Sequence, residues 1–293
     1  MKKNDKILLN IEDLGVSGEG VGKKDGFPIF IDYALPGEVI ETKILNLKKN
    51  YGFGKIINIK KESVKRVTPK CPYYFRCGGC QIMHSSYDYQ LQYKKHRVKD
   101  SLERIGGLRD VKVTETAAME DPYFYRNKVQ IPLGRENGKA IGGFYRKRSN
   151  DIIDMDECII QNSKSNIVLN IVKKWIDDNN ISTYQVDNKV EPRNLLRHLV
   201  VREGFNTGDL MVILVATSKN IPYLEELIAS LKEIDGFKSF LINVNKEKTN
   251  VVLGKKNILV FGKDFIEDTI KDILFKISPN SFFQVNPVQT EIM

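Results

Sequence analysis

Apolar residues in the first sixty positions fall into four short runs separated by turn residues, the pattern of a small β-structure. The runs are Lys6–Glu12, Phe27–Asp32, Glu38–Leu45 and Tyr51–Lys60. Gly15, Gly18, Gly20, Gly22 and Gly26 punctuate a loop between the first two, and Leu35-Pro-Gly37 is a turn. Strands this short, joined by Gly and Pro, predict a closed or nearly closed barrel of the oligonucleotide-binding kind. Gly18-Glu-Gly-Val-Gly22 is not a dinucleotide fingerprint, because its third glycine falls too early and the run leads into a strand rather than a helix.

The period then changes. Tyr87, Leu91, Val98, Leu102 and Ile105 form one stripe and predict a helix that Gly106-Gly107 stops. Val111–Ala117, Arg126–Leu133 and Gly138–Arg146 read as strands. Ile167, Val168, Ile171, Val172, Trp175 and Ile176 keep helical spacing and predict a helix over Ser163–Asp178, capped by Asn162. His198–Arg202 and Leu210–Ala216 read as buried strands. Asn220 is the candidate cap of a helix running to Ile234, and Lys238–Val244, Asn250–Leu253, Ile258–Gly262 and Lys271–Ile277 are further strands. The result is a mixed fold in three parts: a β-barrel over 1–62, an α+β central domain over 63–265, and the opening of a further domain over 266–293. Val288–Met293 begins a helix and breaks off mid-pattern, which leads us to expect a piece of a longer protein.

Composition adds a partner class. Of 293 residues, 41% are hydrophobic, which is ordinary for a globular protein, and no apolar run approaches the ~18 residues of a membrane span. The formal charge of +9 favours a polyanionic partner such as nucleic acid. The charge is concentrated: nine Lys or Arg against one acid between Lys43 and Lys70, and seven against one between Arg126 and Arg148. Tyr51, Phe53, Tyr125, Phe144 and Tyr145 are threaded through these stretches, and aromatics can stack on unpaired bases or simply fill the core. No protein partner is implied.

The chemistry lies in four cysteines. Cys71, Cys77 and Cys80 fall within ten residues, and Cys158 stands alone downstream. Thiolates suit zinc or an iron–sulfur cluster. The polar N-terminus carries no apolar signal segment, so a reducing cytoplasm is expected and disulfides are disfavoured. Unrelated buried thiols fit three cysteines in ten residues poorly. Spacing alone leaves zinc and an iron–sulfur cluster both open. His84, near the cysteines, is a candidate hydrogen-bond partner for a ligand, whereas His96 and His198 suggest nothing beyond structure.

Taken together, the chain resembles the bacterial RNA uracil-5 methyltransferases, S-adenosylmethionine-dependent enzymes that make 5-methyluridine in 23S ribosomal RNA. The specific segments are Cys71-x5-Cys77-Gly-Gly-Cys80-Gln81 with Cys158, and Ser278-Pro-Asn-Ser-Phe-Phe-Gln-Val-Asn286. Tyr125-Arg-Asn-Lys128 and Leu196-Arg-His-Leu199 are similar but less specific. The resemblance implies a TRAM barrel at the N-terminus and a [4Fe–4S] cluster on Cys71, Cys77, Cys80 and Cys158. It places Gln284 on S-adenosylmethionine and Phe282 against the RNA. It also implies a Rossmann-like domain of which only the start is present. In this family a cysteine thiolate adds to uracil C6 and a carboxylate removes the C5 proton. Neither group matches a residue here, so catalytic residues are expected beyond residue 293 and the chain alone is expected to be inactive. The alternative is a zinc-containing RNA-binding module without catalytic activity. A transfer-RNA methylthiolation enzyme would want a C-x3-C-x2-C motif, which is absent.

Overall fold

The computed structural model describes residues 1–183 and 195–293. Its contacts divide them into two compact units, one of residues 1–75 with 79–118 and one of 76–78 with 119–293.

The first unit holds the barrel. Strands β1 (Lys6–Leu14), β2 (Gly20–Lys24), β3 (Phe27–Ile31), β4 (Val39–Leu47) and β5 (Gly52–Lys61) close in the order β1-β2-β3-β5-β4. Alternation sends Leu9, Ile11, Ile29, Ile31, Ile40 and Ile44 inward as the barrel core. Strand β2 lies where the sequence suggested a loop. It pairs with both β1 and β3, and Gly22 is needed there because a Cβ would stand 2.7 Å from the Asn10 carbonyl.

Helix α1 (Tyr87–Asp100) follows, with the Ser86 side chain capping Tyr89 N, and runs into a π-helical turn at Ser101–Ile105. The apolar stripe predicted for it does not become a core face: α1 buries no residue fully, and Val98 and Ile105 are exposed. The helix docks instead through the Tyr93 hydroxyl, which donates to the Gly15 carbonyl at 2.6 Å. Residues 111–117 form no strand, and the Thr116 hydroxyl donates to Leu91 O on α1.

The second unit is built on one sheet. Its strands are β6 (Lys128–Glu136), β7 (Lys139–Tyr145), β8 (Ile152–Asp154), β9 (Leu196–Glu203), β10 (Leu210–Ala216), β11 (Phe237–Val244) and β12 (Lys256–Gly262), in the order β12-β11-β10-β9-β6-β7-β8. Helix α2 (Ser163–Asp178) packs on β7 with the predicted cap and bounds. The glycines of β7 allow the close pairing with β8, since a Cβ at Gly143 would stand 2.0 Å from Ile153 O. Helix α3 (Leu224–Lys232) joins β10 to its parallel neighbour β11. It starts later than predicted: Tyr223, in the left-handed region at φ 57°, precedes it in place of Asn220. Residues 250–253 form no strand, because the Asn245 side-chain amide donates to the carbonyls of Val251 and Val252. A hairpin of β13 (Ile266–Ile270) and β14 (Ile273–Ile277) and a short helix α4 (Pro287–Ile292) complete the unit. Ile266 and Ile277 share a core with Val200, Met211, Ile213, Val215 and Leu241 of the sheet. Among the described residues no helix is long and apolar enough to cross a membrane.

Candidate nucleic-acid interface

The run Ser278–Asn286 is held by three polar residues on and beside the central sheet. Arg202, at the end of β9, is 2% exposed. Its guanidinium donates to the carbonyls of Ser278 at 2.6 Å, Pro279 at 3.1 Å and Ser281 at 2.9 Å. Burial pulls its pKa down to about 10, and among the described residues it has no carboxylate partner. Asn127, just before β6, gives its backbone N–H to Val285 O at 3.2 Å and its side-chain amide to Gln284 O at 3.0 Å. The Asn257 amide reaches the Asn280 side chain at 2.8 Å. Asn286 then caps α4.

With its backbone fixed, the segment alternates. Phe283 turns in against Phe275, the ring centroids 5.6 Å apart, while Phe282 is 85% exposed. Gln284 is exposed and Val285 is half-buried. Phe282 and Gln284 thus share the outward side of one anchored strand-like run. Positive charge flanks it: Lys128 lies across the ladder from Arg202. The Lys128 pKa is lowered by burial first and then by the Arg202 and Arg126 cations. The runs Tyr125–Lys128 and Ser278–Asn286, far apart in sequence, are therefore neighbours. Glu203 is the nearby buried carboxylate, pushed up to about 7 by burial. It is 5% exposed and faces Lys164 at 3.3 Å, so it is not open to a base. Arg202 and Asn127 were not legible as anchors in the sequence, beyond an arginine closing an otherwise apolar strand.

The four cysteines are half-buried and none is in a disulfide. In the first unit, Cys71 and Cys80 sit in a loop whose flanks clasp each other: Val67 N–H donates to His84 O, Ser86 N–H to Lys65 O, and Arg66 bridges Ser85. The loop is pinned by the buried Tyr74 hydroxyl, 2.6 Å from both Gln81 O and His84 Nδ1. Burial raises the Tyr74 pKa and lowers that of His84 to about 4, so both are neutral at pH 7. In the second unit, Cys77 bridges Arg146 at the end of β7, and the Asn166 side chain binds the backbone of Cys158 at both N–H and O. The donors suit a thiolate-bound cluster chemically. Among the described residues, however, no three His, Cys, Asp or Glu side chains are gathered as a metal ion requires. The iron–sulfur assignment thus rests on the donor set alone.

Comparison with known proteins agrees with the barrel. Residues 2–57 match the TRAM domain. Over the full chain, an uncharacterized RNA methyltransferase of Clostridium tetani is 48% identical, with 100% of this chain and 63% of the relative aligned. One from Halalkalibacterium halodurans is 45% identical, with 100% and 64% aligned. The chain thus spans somewhat under two thirds of the length of these curated relatives. Among solved structures, the tRNA (uracil-54, C5)-methyltransferase of Pyrococcus abyssi in complex with S-adenosyl-L-homocysteine superposes with a TM-score of 0.72. It is 28% identical, and the match covers 97% of this chain and 63% of that one.

Proposed function

We propose that the chain is the RNA-recognising part of an S-adenosylmethionine-dependent enzyme that methylates uridine C5 in 23S ribosomal RNA, working in the cytoplasm. The observation that carries this reading is the anchored 278–286 segment, from which Phe282 and Gln284 project. An exposed aromatic on a fixed backbone suits a base that has left its stack. The cations at Arg126 and Lys128 suit the adjoining phosphates. Phe282 packs against the RNA and Gln284 contacts S-adenosylmethionine. The relatives named RNA methyltransferases and the uracil-C5 neighbour support the chemistry. The choice of ribosomal RNA follows the cysteine and Phe-Phe-Gln-Val-Asn runs. Phe282→Ala is expected to weaken binding of a uridine-containing single strand about 10-fold, the scale of one lost stacking contact. It should leave the thermal midpoint unchanged, because the ring is already 85% exposed. In the whole enzyme, Gln284→Ala should keep RNA affinity and reduce S-adenosylmethionine binding measured by calorimetry. Undiminished RNA binding by Phe282→Ala would count against the reading.

The proposal extends to Cys71, Cys77, Cys80 and Cys158 as the ligands of a [4Fe–4S] cluster with an architectural role. The cluster would supply four iron–thiolate bonds and no step of the methyl transfer. All the cysteines of the chain would then be ligands, leaving none to add to uracil C6. Anaerobically isolated chain should be brown, absorb at roughly 400 nm as thiolate-bound iron does, and release no tritium from C5-labelled uracil RNA. Colourless protein with one zinc, or steady tritium release, contradicts this.

A further inference from the structure

The sheet of the second unit has two edges, and they are finished differently. β8 is three residues long, and its Asp154 is drawn to Lys173 at 2.9 Å. A short, charged edge of this kind discourages pairing. β12 runs for seven residues, pairs with β11 alone, and carries Ile258-Leu-Val-Phe261 at its centre. Leu259 is 45% exposed and Val260 39%. Val260 stands at a bulge: Phe261 is opposite Phe240 and Leu259 is opposite Leu241, so Val260 has no partner in β11. Ile258 and Phe261 share one face of the sheet with Ile242 and Phe240, while Leu259 shares the other with Leu241. Apart from its ladder with β11, no main-chain group of β12 has a main-chain partner among the described residues.

Positive charge brackets this edge. Residues 255–265 hold Lys255, Lys256 and Lys263 against one acid, Asp264. All three lysines are exposed, and among the described residues none forms an ion pair. Lys232 of α3 adds a fourth cation, 4.8 Å from the centroid of the Phe261 ring, which in turn stacks on Phe237 at 5.3 Å. These lysines keep off a second copy of the same edge. Laid antiparallel on another β12, Lys255 and Lys256 of one strand come against Lys263 of the other, and like charges across a ladder are destabilising. The same lysines attract a strand that carries acids at both ends.

We propose that the open edge of β12 receives an extended, acid-flanked segment of a partner protein as an additional strand. The two main chains pair. Alternate apolar side chains of the segment cover Leu259 on one face and Ile258 and Phe261 on the other, and its terminal acids meet Lys255, Lys256 and Lys263. The unpaired main-chain groups select a peptide over a nucleic acid, which has no matching row of amide donors and acceptors. Asn257 on this strand holds Asn280 of the 278–286 run. The added strand therefore lies near the segment that carries Phe282, although the proposal does not depend on the RNA reading.

The test is fluorescence anisotropy of the full chain with a labelled peptide of about nine residues, the length of β12 with its flanks. The peptide alternates valine and threonine between paired glutamates, and a counterpart carries lysines in place of the glutamates. The acidic peptide is expected to bind at least about 10-fold more tightly than the basic one, by an amount that shrinks as salt rises. Lys255→Glu/Lys256→Glu/Lys263→Glu should invert the preference, a gain of binding that an unfolded variant cannot show. A proline at the centre of the acidic peptide should cost about 10-fold, because it removes a ladder donor. Bound acidic peptide should slow hydrogen exchange over residues 256–262 and leave the barrel unchanged. Equal affinity for the two peptides, a preference that does not invert, or protection elsewhere overturns the proposal. Protection of 256–262 by oligouridylate alone, or by raising the concentration of the chain alone, also overturns it and gives the edge to RNA or to a second copy.

Discussion

Arg202→Met is expected to destabilise the second unit by about 3–5 kcal/mol, because the substitution removes a buried charged donor shared by three backbone carbonyls. Arg202 is 2% exposed and serves three acceptors, Ser278 O, Pro279 O and Ser281 O. Its charge is solvated by peptide dipoles rather than by an acid, which is why burial lowers its pKa to about 10. Removal of the side chain takes the charged donor from all three, and Ser278 O keeps only the bonds from the Ser281 N–H and hydroxyl. Arg202→Lys keeps the charge but presents a point donor instead of a fork and should recover only part of the loss. The readout is favourable, since the single tryptophan of the chain, Trp175, is buried in α2 of this same unit. Urea unfolding followed by its fluorescence should show a lower midpoint at unchanged slope. RNA binding through Phe282 should fall in parallel, because its backbone anchor is lost. An unchanged midpoint would mean that the segment is held by other contacts.

Glu38→Ala should cost the first unit a comparable amount, about 3–5 kcal/mol, by leaving a buried cation uncompensated. The Glu38 side chain is fully buried and that of Arg66 is 13% exposed. Glu38 accepts from Arg66 Nε at 2.6 Å and its terminal nitrogen at 2.9 Å, and from the Leu35 and Ser63 backbone N–H groups. The pair ties β4 to the clasp from which the cysteine loop springs. Glu38→Leu/Arg66→Met should restore much of the stability, because it removes the desolvation cost of both charges together. Hydrogen exchange of peptides spanning 27–47 reports on this unit, which has no tryptophan. Equal exchange in Glu38→Ala and the unaltered chain would contradict the expectation.

These two anchors were the least legible features of the sequence. Arg202 meets its acceptors 76 or more positions away, and Glu38 meets Arg66 across 28. No local pattern encodes which backbone carbonyl a buried cation will find. Locally coded features were clear: α2 announced itself by a full apolar stripe and an Asn162 cap, and β10 by an unbroken apolar run. Where local and tertiary signals diverged, the reading erred. β2 looks like a loop because the glycines that let it pass its neighbours closely are also turn residues. β13 was missed because Glu267, Asp268 and Thr269 break its apolar pattern, although buried Asp268 accepts from Phe205 and Asn206 N–H groups. The α1 stripe was real as a period, but periodicity does not supply a partner surface. At the site, Phe282 and Gln284 were singled out from their motif, and the structure places both outward on one anchored run. The cysteine spacing was visible, whereas gathering of the four sulfurs depends on how segments far apart in the chain are placed.

The most direct test of the account is nucleoside analysis of RNA from cells lacking the gene for this protein. Ribosomal and transfer RNA are purified separately, digested and assayed for 5-methyluridine by mass spectrometry. The account predicts that 5-methyluridine disappears from 23S ribosomal RNA and persists in transfer RNA. Its persistence in ribosomal RNA, with or without loss from transfer RNA, would contradict it.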